Sequence, residues 1–209
     1  IYFDATDQLV KTYGIKYQEA ENDSNPVDDF NNSVQKQSEN QSGKQFEKQL
    51  IAVSGELFDM FREGIRPTTG KIKQLADRLN IPNMGQMWEM TEYSWLKYYQ
   101  LLNSELAPFS DRLSKMIAFW NHLQPSYDYS DSSKELYKQY STPCPIGAIV
   151  AQYCFLERAE SIFDPSAGNG LLVMGADTAK THVNEIDSTR RAILEFQNFK
   201  KETNFNAPK

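Results

Sequence analysis

Apolar positions recur at helical spacing through the middle of the chain. Phe46, Leu50, Val53, Leu57 and Phe61 follow at steps of four, three, four and four, which puts them on one face of a helix. Arg66, Pro67 and Gly70 break that pattern. A short second helix is predicted, with Ile72, Leu75, Ala76 and Leu79 inward, ending at "NIPN" from Asn80. A third helix is predicted from about Met87 to Leu102, with Trp88, Thr91, Trp95, Tyr98 and Leu102 in phase. A fourth, introduced by Pro108 and Ser110, aligns Phe109, Leu113, Met116, Trp120 and Leu123. Upstream, Leu9, Val10, Tyr13 and Tyr17 mark a short amphipathic stretch. Residues 21–45 are rich in Asn, Ser, Gln and acid. They are expected to be a solvated linker and the first site of proteolytic nicking, because so little apolar surface cannot offset the ordering entropy.

After the polar connector "SYDYSDSSKE" the pattern changes. "YSTPCPIGAIVAQYCF" predicts a helix with Thr142 as N-cap and Pro143 at the first helical position. "SIFD" reads as a short buried strand and "GNGLLVMGADTA" as a turn entering a helix. "THVNEID" reads as a second strand and "STRRAILEFQNF" as a second helix. Strand, helix, strand and helix at this spacing predict part of a parallel α/β unit. The aromatic stripe of Trp88, Trp95, Tyr98 and Trp120 is read as core rather than as a base-stacking platform. His122 lies beside the same apolar face and is read as structural.

The candidate chemistry lies in "FDPSAGNG" and "VNEID". Gly168 and Gly170 supply a turn that lets a ligand approach the backbone closely. A dinucleotide fingerprint needs a third glycine where Val173 stands. Asp164 ends the first strand on the ligand side, where an anion repels a diphosphate and welcomes a cation. S-adenosylmethionine carries an ammonium and a sulfonium and no phosphate. Glu185, ending the second strand, lies at about the twenty-residue separation expected of an acid that binds ribose hydroxyls. Ile186 can cover one face of an adenine. A nicotinamide- or nucleotide-binding module is the competing reading.

Composition adjusts this picture. The 209 residues are 40% hydrophobic and 12% aromatic, enough for a real core, although a mean hydropathy of -0.62 shows it diluted by polar segments. The net charge of -6 lacks the basic surplus of a domain that grips duplex DNA by itself. Cys144 and Cys154 give neither zinc spacing nor a disulfide framework. Both are expected to be buried free thiols in a reducing cytosol. No apolar run reaches bilayer-spanning length, so no membrane partner is expected. The chain starts at Ile1 and is expected to be a piece of something longer. "TRR" at 189–191 and the lysines at 200 and 201 are read as solvated rather than phosphate-binding.

"YSTP", "FDPSAGNG" and "VNEID", in this order, resemble the first landmarks of adenine-specific (N-6 class) DNA methyltransferases. The stretch is similar to the methylase subunits of type I restriction-modification systems, and to methylase regions of large mobile-element proteins that join such a domain to a helicase. The resemblance covers about residues 137–200. It implies an N-terminal helical domain feeding the first part of a Rossmann-like fold. The expected segments are residues 1–45, a helical domain over 46–135 and a partial methyltransferase domain over 136–209. It further implies S-adenosylmethionine as cofactor. Ser141, Thr142 and Pro143 are placed beside its methionine part, and Asp164, Ser166, Ala167, Gly168 and Gly170 around methionine and ribose. Glu185 is placed on the ribose and Ile186 against the adenine. DNA is the implied partner of the intact parent, with a possible helicase or specificity module in the same cytoplasmic system. The sequence departs from the family in one respect. The catalytic Asn/Asp/Ser-Pro-Pro-Tyr/Phe tetrapeptide is missing, for no Pro-Pro pair occurs in the chain. That motif polarises the adenine amino group and stacks on the flipped base, so no catalytic residue is assigned and the fragment alone is expected to be inactive. A degenerate methylase-like module that only binds or regulates is the alternative.

Overall fold

The computed structural model describes residues 26–122 and 141–204, with side chains from residue 42 onward. The chain divides into two compact units, Ile1–Gln41 and Ser42–Lys209. The expectations for Leu9 to Tyr17, for Leu123 and for the polar connector lie outside the described residues.

Helix α1 spans Pro26–Arg62. It therefore begins inside the stretch read as a linker. Gln, Glu and Lys are adequate helix formers, and a helix nucleated on an apolar face extends at little further cost. Leu50, Val53, Leu57 and Phe61 are buried, as their spacing requires. Gly64, at φ +69, turns the chain after α1. Helix α2 (Thr69–Arg78) starts where Thr68 Oγ1 accepts from the Lys71 amide, so Gly70 lies in its first turn rather than breaking a helix. Helix α3 (Met84–Ser104) is capped by Asn83, and helix α4 spans Phe109–His122.

Helix α3 is buried at every position from Met87 to Leu96. A helix buried all round belongs at the centre of its domain. It packs against α2, α4, the helix α5 (Cys144–Tyr153) and the helix α6 (Ser188–Phe196). Trp88 and Trp95 are core, as read. On α4 it is Phe119 rather than Trp120 that turns inward. Its ring lies 4.9 Å from Phe61 and 5.1 Å from Tyr99, while Trp120 is half-buried. His122 is exposed.

Helix α5 starts at Cys144 with Pro143 in the N-cap position and no side-chain cap, one residue later than predicted and without Thr142 as the cap. Pro145 follows in its first turn, where a missing N–H costs nothing. Cys144 is buried as expected, but Cys154, at the C-cap, is exposed.

Three short strands follow: β1 (Ile162–Asp164), β2 (Thr181–Asn184) and β3 (Lys201–Thr203). They form a parallel sheet in the order β1-β2-β3. Asp164 pairs with Val183, and Asn184 with Thr203. Helix α6 makes the crossover from β2 to β3. Strand β3 was not predicted from the sequence. The helix expected after the glycine turn does not form: residues 168–176 are turns, followed by a single 3-10 turn at Thr178–Lys180. Gly168, Gly170 and Gly175 have φ of +56, +88 and +81, and such left-handed residues interrupt a right-handed helix. Leu171, Val173 and Met174 are nonetheless buried, which is why their pattern resembled a helix face.

The architecture is mixed α/β, with six α-helices and one three-stranded parallel sheet among the described residues. One core joins the helical and α/β segments, running from Leu50 through Trp95 to Leu171 and Ile193. A smaller cluster of Ala167, Val173, Val183, Leu194 and Phe199 fills the space around β2 and α6. No helix among the described residues is long and apolar enough to cross a membrane.

Candidate functional site

The register brings both motif acids to one end of the sheet, with Asp164 closing β1 and Glu185 following β2. Asp164 is buried. Its Oδ1 accepts from the Ser166 amide at 3.0 Å, a local turn that starts the glycine loop. Its Oδ2 is also buried and has no hydrogen-bond partner. Burial pushes the Asp164 carboxyl above its ordinary range, and the Ser166 amide opposes that shift.

Loop and second strand are tied closely. The Ala167 amide donates to the Asn184 carbonyl at 3.0 Å, and Asn184 Nδ2 donates to the Pro165 carbonyl at 3.0 Å. Glu185 holds two backbone amides, Gly168 N–H on Oε2 and Asp187 N–H on Oε1, each at 2.8 Å. The residue expected on the ribose thus also fixes the loop and the entry to α6. Each oxygen keeps a second lone pair for a ligand. Ile186 stands 44% exposed beside it, open to a flat apolar partner. Ser166 is exposed, Ala167 is buried, and Gly170 packs its backbone close to Leu194 and Phe199.

The Thr-Pro segment is anchored differently. Ser141 Oγ donates to Glu92 Oε2 at 2.6 Å, which fastens residue 141 to α3. Thr142 is half-buried and Pro143 exposed.

Sequence reasoning missed the strongest polar feature. Glu89 and Glu92 on α3 are both buried. Arg190, read as part of a solvated face, is only 4% exposed and forms a two-point ion pair with Glu89, through Nε at 3.0 Å and Nη2 at 3.3 Å. Burial pulls the Arg190 guanidinium downward, but Glu89, with help from Glu92 and Glu185, outweighs it and holds the charge. Asn169, inside the glycine motif, donates Nδ2 to Glu89 Oε2 at 2.7 Å. Arg191 is the more exposed of the two arginines and faces Glu195 at 3.9 Å. The available signal was two acids three residues apart in a stretch of α3 rich in large apolar side chains, among them Trp88, Met90, Tyr93 and Trp95.

A cavity of about 290 Å³ lies between the start of the second unit, α3 and α6, lined by Phe46, Glu47, Gln86, Ser188, Thr189 and Phe196 among others. None of the ten predicted site residues lines it, so the ligand reading rests on the chemistry of the loop. Among the described residues no group of three or more His, Cys, Asp and Glu is placed to hold a metal ion.

Comparison of the chain with protein-family models, with curated proteins and with solved structures finds no match.

Proposed function

We propose that residues 141–204 form the cofactor side of an S-adenosylmethionine-dependent methyltransferase of the N-6 adenine DNA class, joined to a helical segment. The observation that carries this reading is the Asp164 carboxylate. Its buried, unpartnered Oδ2 at the end of a parallel strand asks for a donor, and the ammonium of a bound amino acid moiety supplies one. The order β1-β2-β3, with a glycine turn after the first strand, is that of one half of a doubly wound nucleotide-binding sheet. A diphosphate is disfavoured by the same acid. Ribose hydroxyls can donate to the remaining lone pairs of Glu185, and Ile186 offers the adenine an apolar face. Ser141, Thr142 and Pro143, at the start of α5, take the methionine side. When bound, the cofactor supplies an electrophilic methyl group. DNA, and a helicase or specificity module in a cytoplasmic system, are the partners that go with this reading.

One observation favours a methylase-like module that binds without catalysis: no Pro-Pro pair occurs in the sequence, so the tetrapeptide that polarises the adenine amino group is missing. No residue of this sequence is assigned to the target base.

Calorimetric titration tests the reading. The chain should bind S-adenosylmethionine and S-adenosylhomocysteine and should not bind NAD. Preference for NAD, or no adenosyl binding, would overturn it. A second expectation concerns turnover. Incubated with tritiated S-adenosylmethionine and mixed genomic DNA, the chain should leave adenine unlabelled, for it lacks the tetrapeptide and its charge of -6 disfavours duplex binding at physiological salt. Label in adenine would place catalytic residues within these 209 positions.

A further inference from the structure

We propose that Glu89, on the central helix of the helical segment, is a positioning residue for the glycine loop. In this role the helical segment is a working part of the ligand site. The proposal deepens the cofactor reading and rests on it for the identity of the ligand, but the loop's anchorage is visible on its own terms. Glu89 is 6% exposed and lies 80 residues before Asn169 and 101 before Arg190. Its Oε2 accepts from both, at 2.7 Å and 3.0 Å, and its Oε1 accepts from Arg190 Nη2. One carboxylate therefore joins α3, the glycine loop and α6.

The loop is held from the far side too. Gln197 Nε2 donates to the Asn169 carbonyl at 3.0 Å. Asp187 Oδ1 caps α6 by accepting from the Arg190 amide, and Glu185 bridges the Asp187 and Gly168 amides. The ring runs from Glu89 through Arg190, Asp187 and Glu185 to Gly168, and back through Asn169. Asn169 is 1% exposed, and its Oδ1 has no hydrogen-bond partner. Glu89 takes the amide's donor, which fixes the orientation of that remaining acceptor. An isolated buried ion pair contributes little net stability compared with apolar residues of the same volume. What this pair provides is a fixed direction for Asn169, and with it a loop shaped before a ligand arrives. Such preorganisation lowers the ordering cost of binding.

The test uses the full chain in three forms: wild type, Asn169→Ala, and the double variant Glu89→Leu/Arg190→Met. Asn169→Ala cuts the anchor and leaves the Glu89–Arg190 pair intact. The double variant removes the anchor and both charges of the pair together, so it is expected to fold where Glu89→Gln alone, which leaves Arg190 without its main counter-charge, is at risk. Two readouts are taken on folded protein. The first is hydrogen exchange of the Ala167, Gly168 and Gly170 amides without ligand, each of which is hydrogen-bonded in the structure. The second is the Kd for S-adenosylhomocysteine. Both variants should exchange these amides about tenfold faster and bind about tenfold more weakly, with thermal midpoints near wild type. Exchange at the wild-type rate in both variants would overturn the proposal, as would faster exchange with an unchanged Kd. Failure of the wild-type chain to bind would overturn the cofactor reading instead, and exchange alone would then decide whether Glu89 positions the loop.

Discussion

Gly147→Ala should cost the folded chain about 3 kcal/mol or more, the upper range for forcing an extra methyl group into a packed site. A Cβ at this position falls 2.2 Å from the Leu171 carbonyl oxygen and 3.1 Å from Met174 Sδ. The sulfur can swing aside, but the carbonyl belongs to the backbone of the glycine loop. Relief requires α5 to lift away from the loop, and Cys144, Ala148, Leu171 and Met174 then lose contact in one core. The natural control is Gly55, which lies exposed in α1 with nothing within 4 Å of the added carbon. Gly55→Ala should gain about 0.5–1 kcal/mol, because glycine is a poor helix former. Urea denaturation of the pair checks both signs. A Gly147→Ala midpoint equal to wild type would mean that α5 does not press on the loop. The consequence reaches the candidate site, since Leu171 directly follows Gly170. A loop displaced by the methyl group should bind an adenosyl ligand less well even in the fraction that remains folded.

The helical segment was legible because its signal is local. Leu50, Val53, Leu57 and Phe61 state their face through spacing alone, and Trp88 and Trp95 are buried as read, although α3 is buried all round between Met87 and Leu96. The first strand, the glycine turn and the second strand were equally plain, since Asp164, Gly168 and Glu185 stand where a chain must stop, turn and stop again, but β1 is not the buried strand expected, for Phe163 is 65% exposed. What escaped is non-local or weakly patterned. Glu89 and Arg190 are 101 residues apart, and nothing near either one says that the other neutralises it. An arginine in "STRRAILEF" looks solvated until α3 is packed against it. Strand β3, "KET", has no apolar alternation. It exists because β2 offers a parallel edge at the right distance across α6. The helix expected after the glycine turn failed for a conformational reason, three glycines at positive φ within eight residues. The N-terminal boundary differed because a polar composition reads as solvated whether it is coil or helix.

Asp164→Asn should separate stability from binding, moving the two in opposite directions. Burial raises the Asp164 carboxyl above its ordinary value of 3.8 in the folded chain. A group raised in this way contributes stability that is fully present below its unfolded pKa. That contribution is lost as pH rises through the folded value. Where the carboxylate is charged its buried Oδ2 has no partner, so the folded state carries a desolvation cost that grows as pH rises. Asparagine keeps the acceptor for the Ser166 amide and removes the charge. The variant should therefore be more stable than wild type at neutral pH, by up to about 1 kcal/mol, since the charge is removed while the Nδ2 that replaces Oδ2 still lacks a partner in the fold. The difference should shrink as the buffer is made acidic enough to protonate Asp164, because the carboxylic acid then fills the site without charge. Binding should respond in the other direction. Loss of a charge-assisted hydrogen bond to an ammonium costs about 1.5–3 kcal/mol, or about a tenfold to hundredfold rise in Kd for S-adenosylmethionine. Denaturation at neutral and mildly acid pH, paired with calorimetry, reads both effects on the same protein. A variant less stable than wild type at neutral pH would show that Asp164 is paired by the fold itself. Unchanged affinity would show that no cationic group of the ligand reaches it. A residue whose removal stabilises the chain and weakens the ligand is held in place by what it binds.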